Sequence, residues 1–240
     1  LFSANFMASF ANKPTSKPIP VALRAVPIPL NALDPVWRVG KQVEEVLVDR
    51  GGMNRKAARA RAEELFAMVG LEIKRLRDYP HQFSGGMRQR ASIALALALS
   101  PKLVIADEPV TALDVVIQRQ VLDTFVDLQK QLNLSVILVT HDISVVAYVC
   151  DYVVVMYAGK VVESGPVADV LDSPGHPYTM GLYNAFPELG SNDRELSPIE
   201  GSPPDLMDPP KGCRFRLRCP FAIGDCIQDP PEHFVGKGHV

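Results

Sequence analysis

A chain of 240 residues with 47% hydrophobic and 22% charged residues has the composition of an ordinary globular protein and can bury the core of one or two domains. Its net charge of −2 gives no overall pull towards nucleic acid or anionic lipid, so nucleic acid is not an expected partner. No apolar run approaches the ~18–20 residues that a membrane-spanning helix requires. The longest, Ala91–Leu99, has the length of a core helix.

Residues 1–33 contain no Asp, Glu or Gly but carry Pro14, Pro18, Pro20, Pro27 and Pro29. An acid-poor start can be a targeting peptide, yet the regular amphipathic Arg face is missing. The segment is expected to be an altered coding stretch without a stable core of its own. From Asp34 the pattern becomes regular. Gln42–Val48 and Arg55–Val69 have helical spacing, with Arg55, Lys56, Arg59 and Arg61 as a solvated outer face and Gly70 as a stop. A Ser-Gly-Gly turn then opens a long helix through Leu99.

Beyond it the period shortens. Leu103–Ala106, Ser135–Val139 and Tyr152–Met156 read as buried strands, with helices at Val115–Leu132 and Ile143–Cys150 between them. The alternation predicts an α/β fold with a mostly parallel sheet. A hairpin of Val153–Tyr157 and Lys160–Glu163 turns at Ala158–Gly159, and short helices follow near Pro166–Leu171 and Tyr178–Ala185. Residues 187–212 have linker composition and lead to a cysteine-bearing segment. Cys150 stands apart in an apolar stretch, as a packed core residue would.

Chemistry is suggested at four places. LVIADEP at 103–109 is an apolar strand ending in Asp107 and Glu108, at the edge where open α/β sheets bind ligands. SGGMRQR at 84–90 places Ser84, Gly85 and Gly86 at a helix start, either a plain cap or an anion site. TALD at 111–114 and His141 after the next strand complete an ordered series.

That series resembles the ABC-type ATPase family, with SGGMRQR as the signature loop, LVIADEP as the Walker B strand, ALD as the D-loop and VTHD as the switch. The resemblance implies a P-loop NTPase-like ATPase using ATP and Mg²⁺. Ser84, Gly85 and Gly86 would contact the γ-phosphate of ATP held by a partner subunit, with Gln89 close by. Arg88 and Arg90 would serve the helical subdomain. Asp107 would bind the Mg²⁺ shell through water, Glu108 would be the catalytic base and His141 would sense the γ-phosphate. Asp114 would link the two sites of the dimer.

The stretch GKVVESGPVADVLDSPGHPYTMGLYNAFP at 159–187 is similar to peptide-importer ATPases, and GCRFRLRCPFAIGDC at 212–226 resembles their cysteine-rich tail. NALDPVWRVGKQ at 31–42 resembles the segment after their Q-loop. The resemblance thus covers about 31–240: a partial nucleotide-binding domain at 31–186, with a helical subdomain at about 35–100, and a Pro-rich linker with its cysteine-containing extension at 187–240. Implied partners are a second ATPase subunit, two permease subunits and, indirectly, an extracytoplasmic peptide-binding protein. The implied place is the cytoplasmic face of the plasma membrane.

No Gly-x-x-x-x-Gly-Lys-Ser/Thr loop occurs in these 240 residues, and the first glutamine after residue 30 is Gln42. The domain is therefore expected to lack its N-terminal lobe and to be inactive alone. Rival readings are a non-hydrolysing partner subunit, a fragment, or an ABC ATPase working on DNA or ribosomes. The last would show coiled-coil insertions or a second cassette. Cys213, Cys219 and Cys226 are spaced more widely than a zinc knuckle. Some members of the resembled family hold an iron–sulfur cluster here, so a [4Fe-4S] cluster, zinc with His233 or His239, and unligated thiols all stand as readings.

Overall fold

A computed structural model describes the backbone of residues 6–10, 25–28, 33–185 and 199–240, and the side chains of the last two ranges. The chain divides into two compact units, Ala11–Leu138 and Leu1–Phe10 with Val139–Val240.

In the first unit, three helices begin at residues whose side chains satisfy a free backbone N–H. Asn54 accepts from Ala57 N at 2.9 Å and opens α2 (Arg55–Met68), and Ser84 accepts from Met87 N at 3.3 Å and opens α3 (Gly85–Leu97). Asp114 accepts from Ile117 N at 3.0 Å and opens α4 (Val115–Leu132). Each such cap stabilises its helix by ~1 kcal/mol. Ends are equally legible: Gly70 has φ +70° just beyond α2, and Asn133 leaves α4 at φ +51°.

Helix α1 (Val39–Asp49) packs on α2 and buries Val39, Val43 and Leu47, one turn apart, and α2 in turn buries Leu65 and Phe66. Burial of each such side chain contributes ~1.5–3 kcal/mol. Gly40 permits a close approach, because a Cβ there would stand 2.5 Å from Leu76 O. Arg59, on the basic face of α2, bonds Glu44 at 2.8 Å and Glu63 at 2.9 Å. The carboxylate of Glu44 holds the Arg59 guanidinium above its ordinary value. The basic run is thus a solvated, ion-paired face.

Strand β3 (Leu103–Asp107) pairs parallel with β2 (Ala25–Ile28), from Ala25 opposite Leu103 to Ile28 opposite Ala106. Within this unit the order is β2, β3 and then β4 (Ser135–Thr140), four residues of which belong to it. The sequence reading assigned no strand to residues 1–30, whereas β2 and β1 (Phe6–Phe10) lie within them. Pro27 obscured β2. It is accommodated because β2 has its neighbour on one side, and edge strands tolerate a missing donor.

The second unit is built around β5 (Tyr152–Tyr157), flanked antiparallel by β1 and by β6 (Lys160–Pro166). The hairpin of β5 and β6 was expected, and the antiparallel pairing of β1 with β5 was not, since no strand was read there. Ala158 and Gly159 have φ of +49° and +80°, a two-residue turn that can only return the strand against itself. Helices α5 (Ile143–Val149), α6 (Val167–Asp172) and α7 (Pro177–Asn184) complete the unit. Cys150 follows α5 in the core, and burial pushes its thiol up to about 12.

Residues 199–240 form an irregular extension packed on this unit. Phe215 is buried, with its ring 5.1 Å from Tyr157 and 5.4 Å from Tyr178. Arg218 donates to the carbonyls of Glu200 and Ile199 at 2.8 and 3.0 Å. The predicted 187–212 linker falls partly outside the described residues.

Candidate functional site

Ser84 is exposed and caps the 13-residue helix α3 through its hydroxyl, which accepts from Met87 N, while Gly86 in the first turn is buried. Gly85 and Gly86 keep that end low. A Cβ on Gly85 would lie 2.8 Å from Leu113 Cδ2, and one on Gly86 would lie 2.4 Å from Ile117 Cγ2. The glycines therefore serve packing as well as access, since they let the start of α4 and the loop before it lie against the start of α3.

The acidic strand end is part of the same unit. Asp107 is exposed as the last residue of β3, and Glu108 follows with φ +46°. A non-glycine residue in that region stores ~1–2 kcal/mol of strain, held here by the surrounding turn. Thr111 Oγ1 donates to Glu108 Oε2 at 2.7 Å and fixes the carboxylate, and Ala112 also has positive φ at +62°. Asp114 is engaged in capping α4.

Gln89 is only 3% exposed, and its Nε2 meets no acceptor. Arg88 donates to Phe83 O at 2.8 Å, while a Cβ on Gly70 would stand 2.9 Å from Arg90 Nη1. Both arginines thus lie against residues that precede α3 in the chain. His141 is exposed just past β4 and belongs to the second unit. Thr140 Oγ1, accepting from Asp142 N at 3.1 Å, shapes its turn.

The first unit therefore brings together the signature turn, the acidic strand end and the D-loop. Its Thr111, Leu113 and Ile117 were not singled out from sequence.

For the cysteine segment three readings stood open: a cluster, zinc and unligated thiols. Burial raises the Cys219 thiol above its ordinary value, opposed by a hydrogen bond from the Phe221 backbone and reinforced by Cys213 and Cys226. The three thiols are neighbours, and all are free. Among the described residues, however, no group of three or more His, Cys, Asp or Glu side chains is placed to hold one ion. His239, a candidate zinc partner, is buried with Nε2 on Glu163 at 2.6 Å. Neither a cluster nor a zinc ion fits the donor set as it stands.

Comparison with known proteins extends the same pattern. A family described as ABC transporter matches residues 23–111, and one described as the oligopeptide/dipeptide transporter C-terminal region matches 162–226. The first match begins eight residues before the boundary read at 31. The chain is 50% identical over 215 residues to the oligopeptide transport ATP-binding protein OppD of Bacillus subtilis, covering 88% of this chain and 60% of that protein. It is 52% identical over 209 residues to the dipeptide transport ATP-binding protein DppD of the same organism, covering 86% and 62%. The chain thus spans about 60% of the length of these relatives. Among solved structures it is similar to the ATP-binding cassette MJ0796 in a dimeric post-hydrolysis state with ADP and phosphate, at TM-score 0.52 and 31% identity, covering 60% of this chain and 62% of the other. It is also similar to cbiO1 of Clostridium perfringens, at TM-score 0.56 and 29% identity, covering 62% and 59%.

Proposed function

The chain belongs to the ATP-binding subunits of oligopeptide and dipeptide ABC transporters, and from that premise we propose that it supplies the signature half of a composite ATP site shared with a second such subunit. The observation that carries this reading is the start of α3. Exposed Ser84 and backbone N–H groups with low glycine cover form a site for a phosphate approaching from outside the chain.

In this reading Ser84, Gly85 and Gly86 donate to the γ-phosphate of ATP held by the partner. Gln89 adds an amide beside them. Asp107 is the residue that would hold the water shell of Mg²⁺, an ion that neutralises phosphate charge. At this chain's own site, were ATP held there, Glu108, oriented by Thr111, would take the proton of attacking water, and His141 would hydrogen-bond the terminal phosphate. Asp114, through the packing of α4 on α3, couples the two sites. In this reading the chain offers its signature turn to ATP held by a partner. Iron–sulfur chemistry has no part in the proposal, because the donor set does not fit.

Energy would pass to two permease subunits, with an extracytoplasmic peptide-binding protein delivering oligopeptides or dipeptides to them. Among the described residues no helix is long and apolar enough to cross a membrane, which suits a peripheral subunit on the cytoplasmic face. Val36 is 74% and Trp37 48% exposed, and Gln42 pins their turn by bonding the Trp37 and Asp34 carbonyls. Such apolar side chains suit a protein partner.

The test is uptake of a labelled dipeptide or oligopeptide by vesicles carrying the permeases, the binding protein and one intact ATPase subunit. Adding this chain should restore ATP-dependent uptake. Uptake that is identical with and without it would contradict the reading.

A further inference from the structure

The cysteine segment holds three thiols that the proposed ATP site does not use, in a donor set that does not fit a cluster. A cluster would engage all three, whereas the backbone singles out two. Gly212 has φ +76°, and a Cβ there would stand 2.4 Å from Ile227 C and 2.6 Å from Cys226 O. These backbone atoms cannot swing aside, so glycine is what lets the two passes of the chain cross here. One residue further, Cys213 N donates to Cys226 O at 3.0 Å. Ordinary bond lengths and angles then keep the two Cα atoms within roughly 6 Å. A disulfide requires about 4.4–6.8 Å between them.

Short turns close the chain between the two cysteines. Arg216 N donates to Cys213 O at 3.2 Å, Cys219 N to Arg216 O at 3.4 Å, and Ala222 N to Cys219 O at 3.3 Å. Ile223 N donates to Cys226 Sγ at 3.5 Å. Cys213 and Cys226 are half-buried, and Cys213 also lines a cavity of about 660 Å³, which gives a small polar oxidant access to it. Cys219 stands differently. Burial raises its thiol above the ordinary value, which disfavours the thiolate that attacks a disulfide.

We propose that Cys213 and Cys226 form a reversible thiol–disulfide pair, a modification site that closes the loop carrying Phe215 and Arg218 and leaves Cys219 as a thiol. The oxidant is a low-molecular-weight disulfide such as oxidised glutathione. The Cys213 thiolate attacks one of its sulfurs, forming a mixed disulfide and releasing one glutathione thiolate. The Cys226 thiolate then attacks the Cys213 sulfur, which closes the protein bond and releases the second glutathione thiolate. Two electrons pass from the protein thiols to glutathione, and the released thiolates take up the two protons that the protein thiols lost. Phe215 packs on Tyr157 and Tyr178, and Arg218 holds the Glu200 and Ile199 carbonyls, so the bond ties these anchors into one closed loop. Loop closure restricts the opened chain more than the packed one, and oxidation therefore holds the extension on its unit.

The experiment incubates the full 240-residue chain, folded and in denaturant, in graded mixtures of reduced and oxidised glutathione. Acid quenches the exchange, and peptide mass spectrometry maps the bonds. In denaturant the shorter loops 213–219 and 219–226 close at least as readily as 213–226, because closure entropy rises with loop length. In the folded chain the Cys213–Cys226 bond should exceed each other pairing about tenfold or more, since their held proximity raises the effective concentration of one thiol at the other. Cys219→Ser should leave the glutathione ratio at half-oxidation unchanged, whereas Cys213→Ser and Cys226→Ser should stop at the mixed disulfide. Hydrogen exchange of the unmutated chain reads the consequence: the Arg218 and Cys219 amides should exchange about tenfold more slowly when oxidised, with Val153 and Val155 unaltered. The same distribution of bonds in the folded and denatured chain, a folded chain that bonds Cys219 in preference, or equal exchange in both redox states would overturn the proposal.

Discussion

Gln89 illustrates how a single residue can be costly to the fold and still belong in it. It sits near the start of α3 at 3% exposure, with an amide nitrogen that finds no acceptor. An orphaned buried donor destabilises by ~1–3 kcal/mol, so Gln89→Met, which keeps the length and removes the polar atoms, should raise the thermal midpoint by about 2–4 °C. A calorimetric midpoint at or below that of the wild type would show the nitrogen to be satisfied. The sequence placed Gln89 next to the signature turn only through resemblance. Burial and the missing partner were beyond it, because spacing assigns a face but does not count acceptors. Glu108 is similar: an acid at a strand end could be read, whereas its φ of +46° and its hold by Thr111 depend on how the following turn closes. His141 was legible as a residue after a strand, and its turn through Thr140 was not.

At the scale of elements, α3 and α4 meet because glycines stand at 85 and 86. With a Cβ on Gly86 only 2.4 Å from Ile117 Cγ2, Gly86→Ala forces the two helices apart. Overpacking of this kind costs ~1–3 kcal/mol, and Ile117 is β-branched and slow to yield. Ile117→Ala removes the offending methyl. The double variant should therefore be less destabilised than the sum of the singles by about 1 kcal/mol, measured by denaturant unfolding. Strict additivity would mean that the contact is not what fixes the approach. Sequence located both helices well, since Ser84, Asp114 and Asn54 are caps whose chemistry is local. It missed β1 and β2 because four- or five-residue strands in a proline-containing stretch have no period of their own. Their pairing comes from β5 and β3, which supply hydrogen-bond partners from more than 70 residues away. The turn at Ala158–Gly159 and its hairpin were legible, whereas the antiparallel pairing of β1 with β5 was not.

For the whole molecule, the two units carry different parts of the proposed site. The first assembles the signature turn, the acidic strand end and the D-loop, and the second carries His141, the hairpin and the extension. Ordered motifs made the first assembly legible, because each sits where a strand or helix ends. The extension was readable only as a cysteine pattern. Phe215, Arg218, Glu163 and His239, which fasten it, lie too far apart in sequence for spacing to connect them. The central claim is that Ser84, Gly85 and Gly86 act on ATP held by another subunit. ATP hydrolysis by a partner subunit with an intact phosphate loop should rise when the 240-residue chain is added. Gly85→Asp adds a negative charge at the start of α3, which repels a phosphate, and its Cβ displaces the end of Leu113, so it should abolish the increase while subunit association is retained. Equal stimulation by the wild-type chain and by Gly85→Asp would contradict the account.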